Sequence, residues 1–232
     1  MKNPLNSVRW MHNFLFPTHR EVTTAWGCIA ILAMISWIHF APDSLRQNLQ
    51  FDRRAVLDGE WYRLATCHFV HLSFEHFAHV VWPFLVVGLV YESGGGLARM
   101  LRIVNVLALS ALSITAALWW GHPEIGRYTG LSGPSYALAA LVFFDWYRAT
   151  GRKIFLLFFP VYVGRILAGH EWYHDAEFTT AWWAHGVGLA TGVAWLALEA
   201  WLRHKGHWRL LHLLGDTTIV EKQTAPDQST LS

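Results

Sequence analysis

The chain has 232 residues, of which 53% are hydrophobic and only 15% are charged, and its formal net charge is +2. A soluble domain carries about 25% charged residues, so the composition argues against a soluble protein. The small net charge gives no reason to expect a nucleic-acid partner. The two cysteines, Cys28 and Cys67, lie in or beside apolar runs and do not indicate a disulfide framework.

Six apolar runs approach the length of about 20 residues that a helix needs to cross a bilayer. In chain order they cover approximately residues 23–41, 69–91, 101–120, 128–147, 154–169 and 180–202. The second, fourth and sixth runs are interrupted by His, Ser and Gly, which in a membrane helix indicates a face turned to the protein interior. The runs predict an all-α, polytopic membrane protein with a six-transmembrane-helix bundle, and the first run is expected to be a retained helix.

Lys and Arg concentrate in the N-terminal segment, in the loops after the second and fourth runs, and after the sixth run. By the positive-inside rule, both termini should therefore face the cytoplasm. The division that follows is a cytoplasmic segment over 1–22, one membrane domain over 23–203 and a cytoplasmic polar tail over 204–232. Residues 42–68 would form an external loop that lies in the interface.

Two short motifs stand at the predicted external ends of the fourth and sixth helices, one around Ser132 and one around His185. The topology places both residues roughly 6–8 Å below the external surface, at 1.5 Å of rise per residue. A serine hydroxyl needs an adjacent base to become a nucleophile, and a neutral imidazole can serve as that base. Gly133 leaves the backbone beside Ser132 open, and Gly188 with Gly192 forms a GxxxG face that allows close helix approach.

Other interpretations of these residues remain possible. Small residues at helix contacts are often only packing, and a serine in a membrane helix often hydrogen-bonds to its own backbone. The match in depth favours the catalytic interpretation of Ser132 and His185. Tyr136 lies four residues after Ser132 on the same helical face, where its ring could either support the imidazole of His185 or simply pack.

A histidine cluster marks the external end of the second run: His68, His71, His76 and His79. His76 lies near the predicted depth of Ser132 and could donate to an oxyanion, together with the backbone N–H of Ser132. HxxH spacing also places imidazoles on one helical face, as in metal sites, and Glu75 is adjacent. A polar interface position would explain some of these histidines as well.

These motifs resemble the rhomboid family of intramembrane serine proteases. The resemblance covers roughly residues 49–200 and includes Gly130-Leu131-Ser132-Gly133 with Tyr136, Ala184-His185 followed by Gly188 and Gly192, and Glu60-Trp61-Tyr62-Arg63 followed by His71 and His76. The stretch from Phe51 to Leu72 is most similar to the rhombosortase branch.

The resemblance implies a dyad without an acidic third member, with Ser132 as nucleophile and His185 as general base. It also implies that Tyr136 packs against His185, that His76 contributes to the oxyanion hole, with Gly130 and Gly133 flanking the nucleophile, and that no cofactor or metal is required. The family has an Asn four residues after that His, where this chain has Val80, which cannot donate a hydrogen bond. His79 could take its place.

The implied substrates are single-pass membrane proteins cleaved near the outer leaflet, which for a rhombosortase would carry a C-terminal Gly-rich sorting tail. The implied location is the bacterial inner membrane. Two alternatives remain: an inactive relative that binds membrane clients, and a His-rich metal-binding membrane protein.

Overall fold

A computed structural model describes residues 22–71, 73–74, 76–78, 80–81, 96–172, 174–175, 178–179 and 181–215. The described chain is mostly helical. In chain order its helices are α1 (Val22–His39), α2 (Asp43–Leu49), α3 (Arg53–Leu57), α4 (Arg63–Thr66), α5 (Gly96–Ala116), α6 (Ser132–Thr150), α7 (Phe158–Trp172), α8 (Trp182–His204) and α9 (Trp208–Leu213). Residues 74, 76–78 and 80–81 are also helical.

Helix α6 lies at the centre of this helical assembly. Every residue from Gly133 to Val142 on it is buried, and a helix that is buried on all sides must be surrounded by other elements. Helices α5 and α8 pack against it, and its apolar residues share one core with Ile103 and Val106 of α5 and Trp195 of α8.

The segment over residues 42–68, which we call the first loop, is compactly folded. Asp52 caps the start of α3 by accepting hydrogen bonds from the backbone N–H groups of Arg54 and Ala55. The two-residue strand β1 (Phe51–Asp52) pairs antiparallel with β2 (Arg127–Tyr128), which precedes α6. The first loop is thereby attached directly to the segment that leads into Ser132. A second two-stranded pair joins β3 (His174–Asp175) to β4 (Phe178–Thr179) between α7 and α8.

Two arginines hold the first loop in place. The buried guanidinium of Arg63 donates to the Glu60 carboxylate at 2.7 Å and to the backbone carbonyls of Gln47 and Gln50 at 2.6 and 3.0 Å. Arg53 donates to four backbone carbonyls, two in the last turn of the helix that continues α5 (Leu118 and Trp119) and two just beyond it (His122 and Ile125). A cation at a helix C-terminus satisfies carbonyls that the helix leaves without partners.

Helix α5 continues through a π-helical turn at Ala117–Gly121. Ala98–Gly121, with 24 residues and a mean hydropathy of 1.8, is the one helix in the described part of the chain that is long and apolar enough to cross a membrane. The shorter helix Ile29–His39 is also apolar. The count of six spanning helices stays a prediction.

The structure differs from the sequence-based expectation at the start of the second run. The expected helix from residue 69 is wrong, because Cys67–Phe69 is a 3-10 turn and His71 is not helical. The helix begins only after Ser73, whose hydroxyl accepts a hydrogen bond from the His76 backbone N–H at 3.1 Å, as an N-cap does. His68 and His71 therefore do not share a helical face.

The first part of the expected polar tail over 204–232 is folded. Helix α9 lies within it, and Leu211 is fully buried. Gly215 packs so closely on α5 that a Cβ there would lie 2.1 Å from the carbonyl oxygen of Ala98. The described chain therefore stays packed on the helices as far as Gly215. The rest of the expected tail lies outside the described residues.

Candidate active site

Ser132 is the first residue of α6 and follows a sharp turn at Gly130. Gly130 has φ +124°, a conformation that favours glycine because it has no Cβ. Its backbone N–H donates to the carbonyl of Cys67 at 2.9 Å. This turn fixes the entry to α6 against the end of the first loop, and it leaves Ser132 at the helix N-terminus, where the first N–H groups have no intrahelical partner.

The side chains of Ser132 and His185 meet. The His185 Nε2 atom lies 2.9 Å from the Ser132 Oγ atom, which is hydrogen-bond distance. The Tyr136 ring stacks on the imidazole, with centroids 4.5 Å apart and planes at 1°, and the Trp182 ring contacts it edge-on at 5.1 Å. These two aromatic contacts restrict rotation of the imidazole.

The second imidazole nitrogen of His185, Nδ1, has no hydrogen-bond partner within the part of the chain that the structure describes. This atom is buried. In a Ser-His-Asp triad, a carboxylate at this nitrogen orients the ring. The His185 ring instead contacts the rings of Tyr136 and Trp182.

Glycines allow α6 and α8 to approach closely enough for this contact. A Cβ at Gly188 would lie 2.0 Å from the carbonyl oxygen of Gly133, and one at Gly192 would lie 2.7 Å from the carbonyl oxygen of Ala137. Any side chain at either position would push the two helices apart. Gly133 is equally confined, since a Cβ there would lie 2.9 Å from the Ala184 carbonyl oxygen.

His76 lies on the other side of the Gly130 turn. The position that a Cβ would occupy on Gly130 is 2.7 Å from His76 Cε1, 3.0 Å from His76 Nε2 and 3.6 Å from Ser132 Oγ. The imidazole of His76 thus adjoins the turn that carries the serine. Val80 is 1% exposed and packs in the apolar core. His79 lies outside the described residues.

The remaining histidines of the cluster separate from one another. The His68 Nε2 atom lies 3.1 Å from the Thr115 hydroxyl on α5, whereas His71 is fully buried and its ring contacts that of His76 at 5.1 Å. Within the described residues, no group of three or more His, Cys, Asp and Glu side chains is arranged to hold a metal ion.

Sequence reasoning missed an ion-pair cluster at the opposite end of the same helices. Arg102 on α5 donates to both carboxylate oxygens of Glu199 on α8, at 2.6 and 2.7 Å, and also pairs with Asp145 on α6. The Trp195 indole and Arg203 donate to Glu199 as well, and Glu199 is fully buried. The sequence did carry a signal for this cluster, since Asp145 and Glu199 are acidic residues within apolar runs.

Comparison with known proteins gives one family. The family model of the rhomboid domain matches residues 58–201, which includes the end of the first loop, Ser132 and His185. A search of curated proteins found no match to the chain.

Proposed function

The chain belongs to the rhomboid family, a family of serine intramembrane proteases that act on membrane proteins within the bilayer and that also has inactive members. We propose that Ser132 and His185 form the catalytic dyad of this chain. The chain is accordingly a multi-pass membrane protein. The observation that carries the proposal is the distance of 2.9 Å between Ser132 Oγ and His185 Nε2, from two helices held together by glycines.

In the proposed reaction, Ser132 Oγ attacks the carbonyl carbon of a substrate peptide bond while His185 Nε2 takes the hydroxyl proton. The tetrahedral intermediate collapses as the C–N bond breaks, and His185 gives the proton to the leaving amine. Water then attacks the acyl ester, transfers a proton to His185 and releases the new carboxyl end. The proton finally returns to Ser132.

The oxyanion of each tetrahedral intermediate needs donors. The Ser132 backbone N–H is available at the start of α6, and the His76 ring adjoins the Gly130 turn. Val80 offers no donor where the family has an Asn. A missing oxyanion donor costs about 3 kcal/mol, or roughly a hundredfold in rate. We expect slow turnover unless His79 supplies the donor.

For the substrate we propose membrane proteins with one spanning segment, cut near the outer leaflet, and C-terminal Gly-rich sorting tails in particular. The likeness of residues 51–72 to the rhombosortase branch supports the second part. The distribution of Lys and Arg supports an orientation with both termini in the cytoplasm, and we propose the bacterial inner membrane as the location.

Labelling with a fluorophosphonate probe, which reacts with an activated serine, tests the dyad directly. We expect labelling of the wild type and its loss in Ser132→Ala and in His185→Ala. The matched controls are Ser135→Ala, a buried serine one turn further on α6 that bonds to the Leu131 carbonyl, and His204→Ala at the exposed end of α8. Both should label like the wild type. Labelling that survives Ser132→Ala would refute the assignment.

An inactive client-binding relative is the second candidate, and the buried Val80 favours it. In that case, neither the wild type nor Ser132→Ala would cleave a reconstituted membrane substrate. Val80→Asn would then create activity that depends on Ser132. If the wild type already cleaves, and a chelator leaves the rate unchanged, the inactive and metal-binding alternatives are both excluded.

A further inference from the structure

Arg165 is a charged residue in a helix that the sequence predicts to span the membrane. It lies in the middle of α7 and is exposed. It makes no hydrogen bond or ion pair with any residue in the described part of the chain. A cation at membrane depth is costly when nothing neutralises it, so such a residue needs a functional explanation.

The height of Arg165 follows from the ring contacts between α6 and α7. Phe143 stacks on Phe158 at 4.5 Å, and Tyr136 contacts Tyr162 at 4.8 Å, so the two helices run antiparallel. Arg165 lies three residues beyond Tyr162, which places it about 4.5 Å further along α7 toward the end that adjoins the start of α6. Ser132 lies four residues before Tyr136, which places it about 6 Å further along α6 in the same direction. Arg165 is therefore nearly level with the Ser132 hydroxyl.

Arg165 also lies beside the helix that carries Ser132. Tyr162 and Ile166, which flank Arg165 on α7, pack in the same apolar cluster as Tyr136. This places Arg165 at the rim of the contact between α7 and α6.

The chemistry of the guanidinium indicates what Arg165 would bind. Neither Tyr162 nor Ile166, its packed neighbours on α7, carries a negative charge. A guanidinium is matched in shape and charge to a carboxylate, which can accept two parallel hydrogen bonds from it. An exposed arginine at the height of the nucleophile can reach a side chain that flanks the bond under attack.

We infer that Arg165 is a specificity-determining residue that binds an acidic side chain of the substrate beside the scissile bond. This inference rests on the proposed protease function and adds to it a substrate feature, one Asp or Glu at a fixed distance from the cleaved bond.

The test uses a set of single-span substrates that carry Asp, Asn or Lys in turn at each position flanking the cleavage site, reconstituted with the full-length protein in vesicles. Wild type should prefer Asp over Asn in kcat/KM at one position by about twofold to fivefold, the effect of one exposed ion pair. The preference should vanish in Arg165→Gln, and Arg165→Glu should prefer Lys at the same position. Arg152→Gln, which removes an exposed cation before α7, is the matched control and should keep the preference for Asp.

The reversed preference in Arg165→Glu is a gain that a misfolded variant cannot produce. An Asp preference that persists in Arg165→Gln, or the absence of any charge preference in the wild type, would overturn the inference and leave the dyad intact. An effect of Arg165→Gln that follows the fraction of anionic lipid in the vesicles rather than the substrate residue would assign Arg165 to lipid headgroups instead. A wild type that neither labels nor cleaves would overturn both this inference and the proposed function.

Discussion

The backbone carbonyl of Gly133 lies where a side chain at Gly188 would have to be, only 2.0 Å from the position of a Cβ. Real Cβ atoms do not approach a backbone oxygen so closely, and neither helix backbone can yield as a flexible side chain could. Gly133 directly follows Ser132, and Gly188 lies about one turn after His185. The distance between the two helices at the dyad thus depends on the absence of one methyl group.

Gly188→Ala should therefore separate α6 from α8. We expect destabilisation of about 1–3 kcal/mol, which is typical of overpacking, and loss of fluorophosphonate labelling at Ser132. Gly186→Ala is the matched control, because nothing lies within 4 Å of a Cβ there and alanine favours a helix by about 1 kcal/mol over glycine. Thermal unfolding in detergent and the labelling rate measure the two effects. Equal behaviour of the two variants would contradict the packing argument.

The ring of Tyr136, and not its hydroxyl, should hold the His185 imidazole in its orientation. Tyr136→Phe keeps the stack on His185, so labelling should stay within about threefold of the wild-type rate, less than the value of one aromatic pair. Tyr136→Ala should lower the labelling rate by about tenfold, the value of one aromatic pair, and should destabilise the protein by about 3–5 kcal/mol through the cavity it leaves. A Tyr136→Ala variant that labels at the wild-type rate would show that the imidazole is oriented without the stack.

The ion pair of Arg102 with Glu199 should be far more sensitive than the surface pairs. Glu199→Gln leaves Asp145 as the remaining carboxylate partner of the buried Arg102, and Arg102→Met leaves Arg203 as the remaining cation beside the buried Glu199. Breaking a buried ion pair costs about 3–5 kcal/mol, and we expect losses near the lower end of that range. Asp43→Asn breaks an ion pair with Arg46 in which the carboxylate is 75% exposed, and we expect a loss of about 1 kcal/mol or less. Denaturant unfolding of the three variants gives the comparison. Comparable losses in all three would mean that the Arg102 cluster is solvated rather than buried.

Acid should loosen the first loop through Glu60. Hydrogen bonds from Tyr62 and then Arg63 hold the pKa of the Glu60 carboxyl below its usual value. The folded state therefore binds fewer protons than the unfolded state, so the stabilisation is complete above the ordinary pKa of about 4.3. It is lost as the pH falls through the lowered pKa.

The measurement is the unfolding temperature between about pH 6 and pH 3, a range that brackets the ordinary pKa of Glu. Over this range the unfolding temperature of the wild type should fall further than that of Glu60→Gln, whose side chain does not titrate. Parallel curves for the two proteins would exclude Glu60 as the titrating group.

Several features of the fold were predictable from sequence, because apolar runs indicate the lengths of helices and glycines indicate where two helices approach closely. The predicted runs overlap α5, α6, α7 and α8. Helix starts were less accurate. The start of the second helix depends on the Ser73 cap, which competes with an apolar pattern that continues from Phe69. The folded first loop was not predicted, because its stability comes from Arg53 and Arg63 binding backbone carbonyls that are distant in sequence.

By itself, the sequence determined that the chain is rich in apolar helices and that a serine and a histidine stand at matching places on two of them. These properties follow from the order of residues along single helices. Only the tertiary structure decided that Oγ and Nε2 lie within hydrogen-bond distance, that Asp145 pairs with Arg102, and that Arg165 reaches the level of Ser132. Those relationships depend on the rotation and spacing of helices against one another, which are set by contacts between residues far apart in sequence and have no signature in any single stretch.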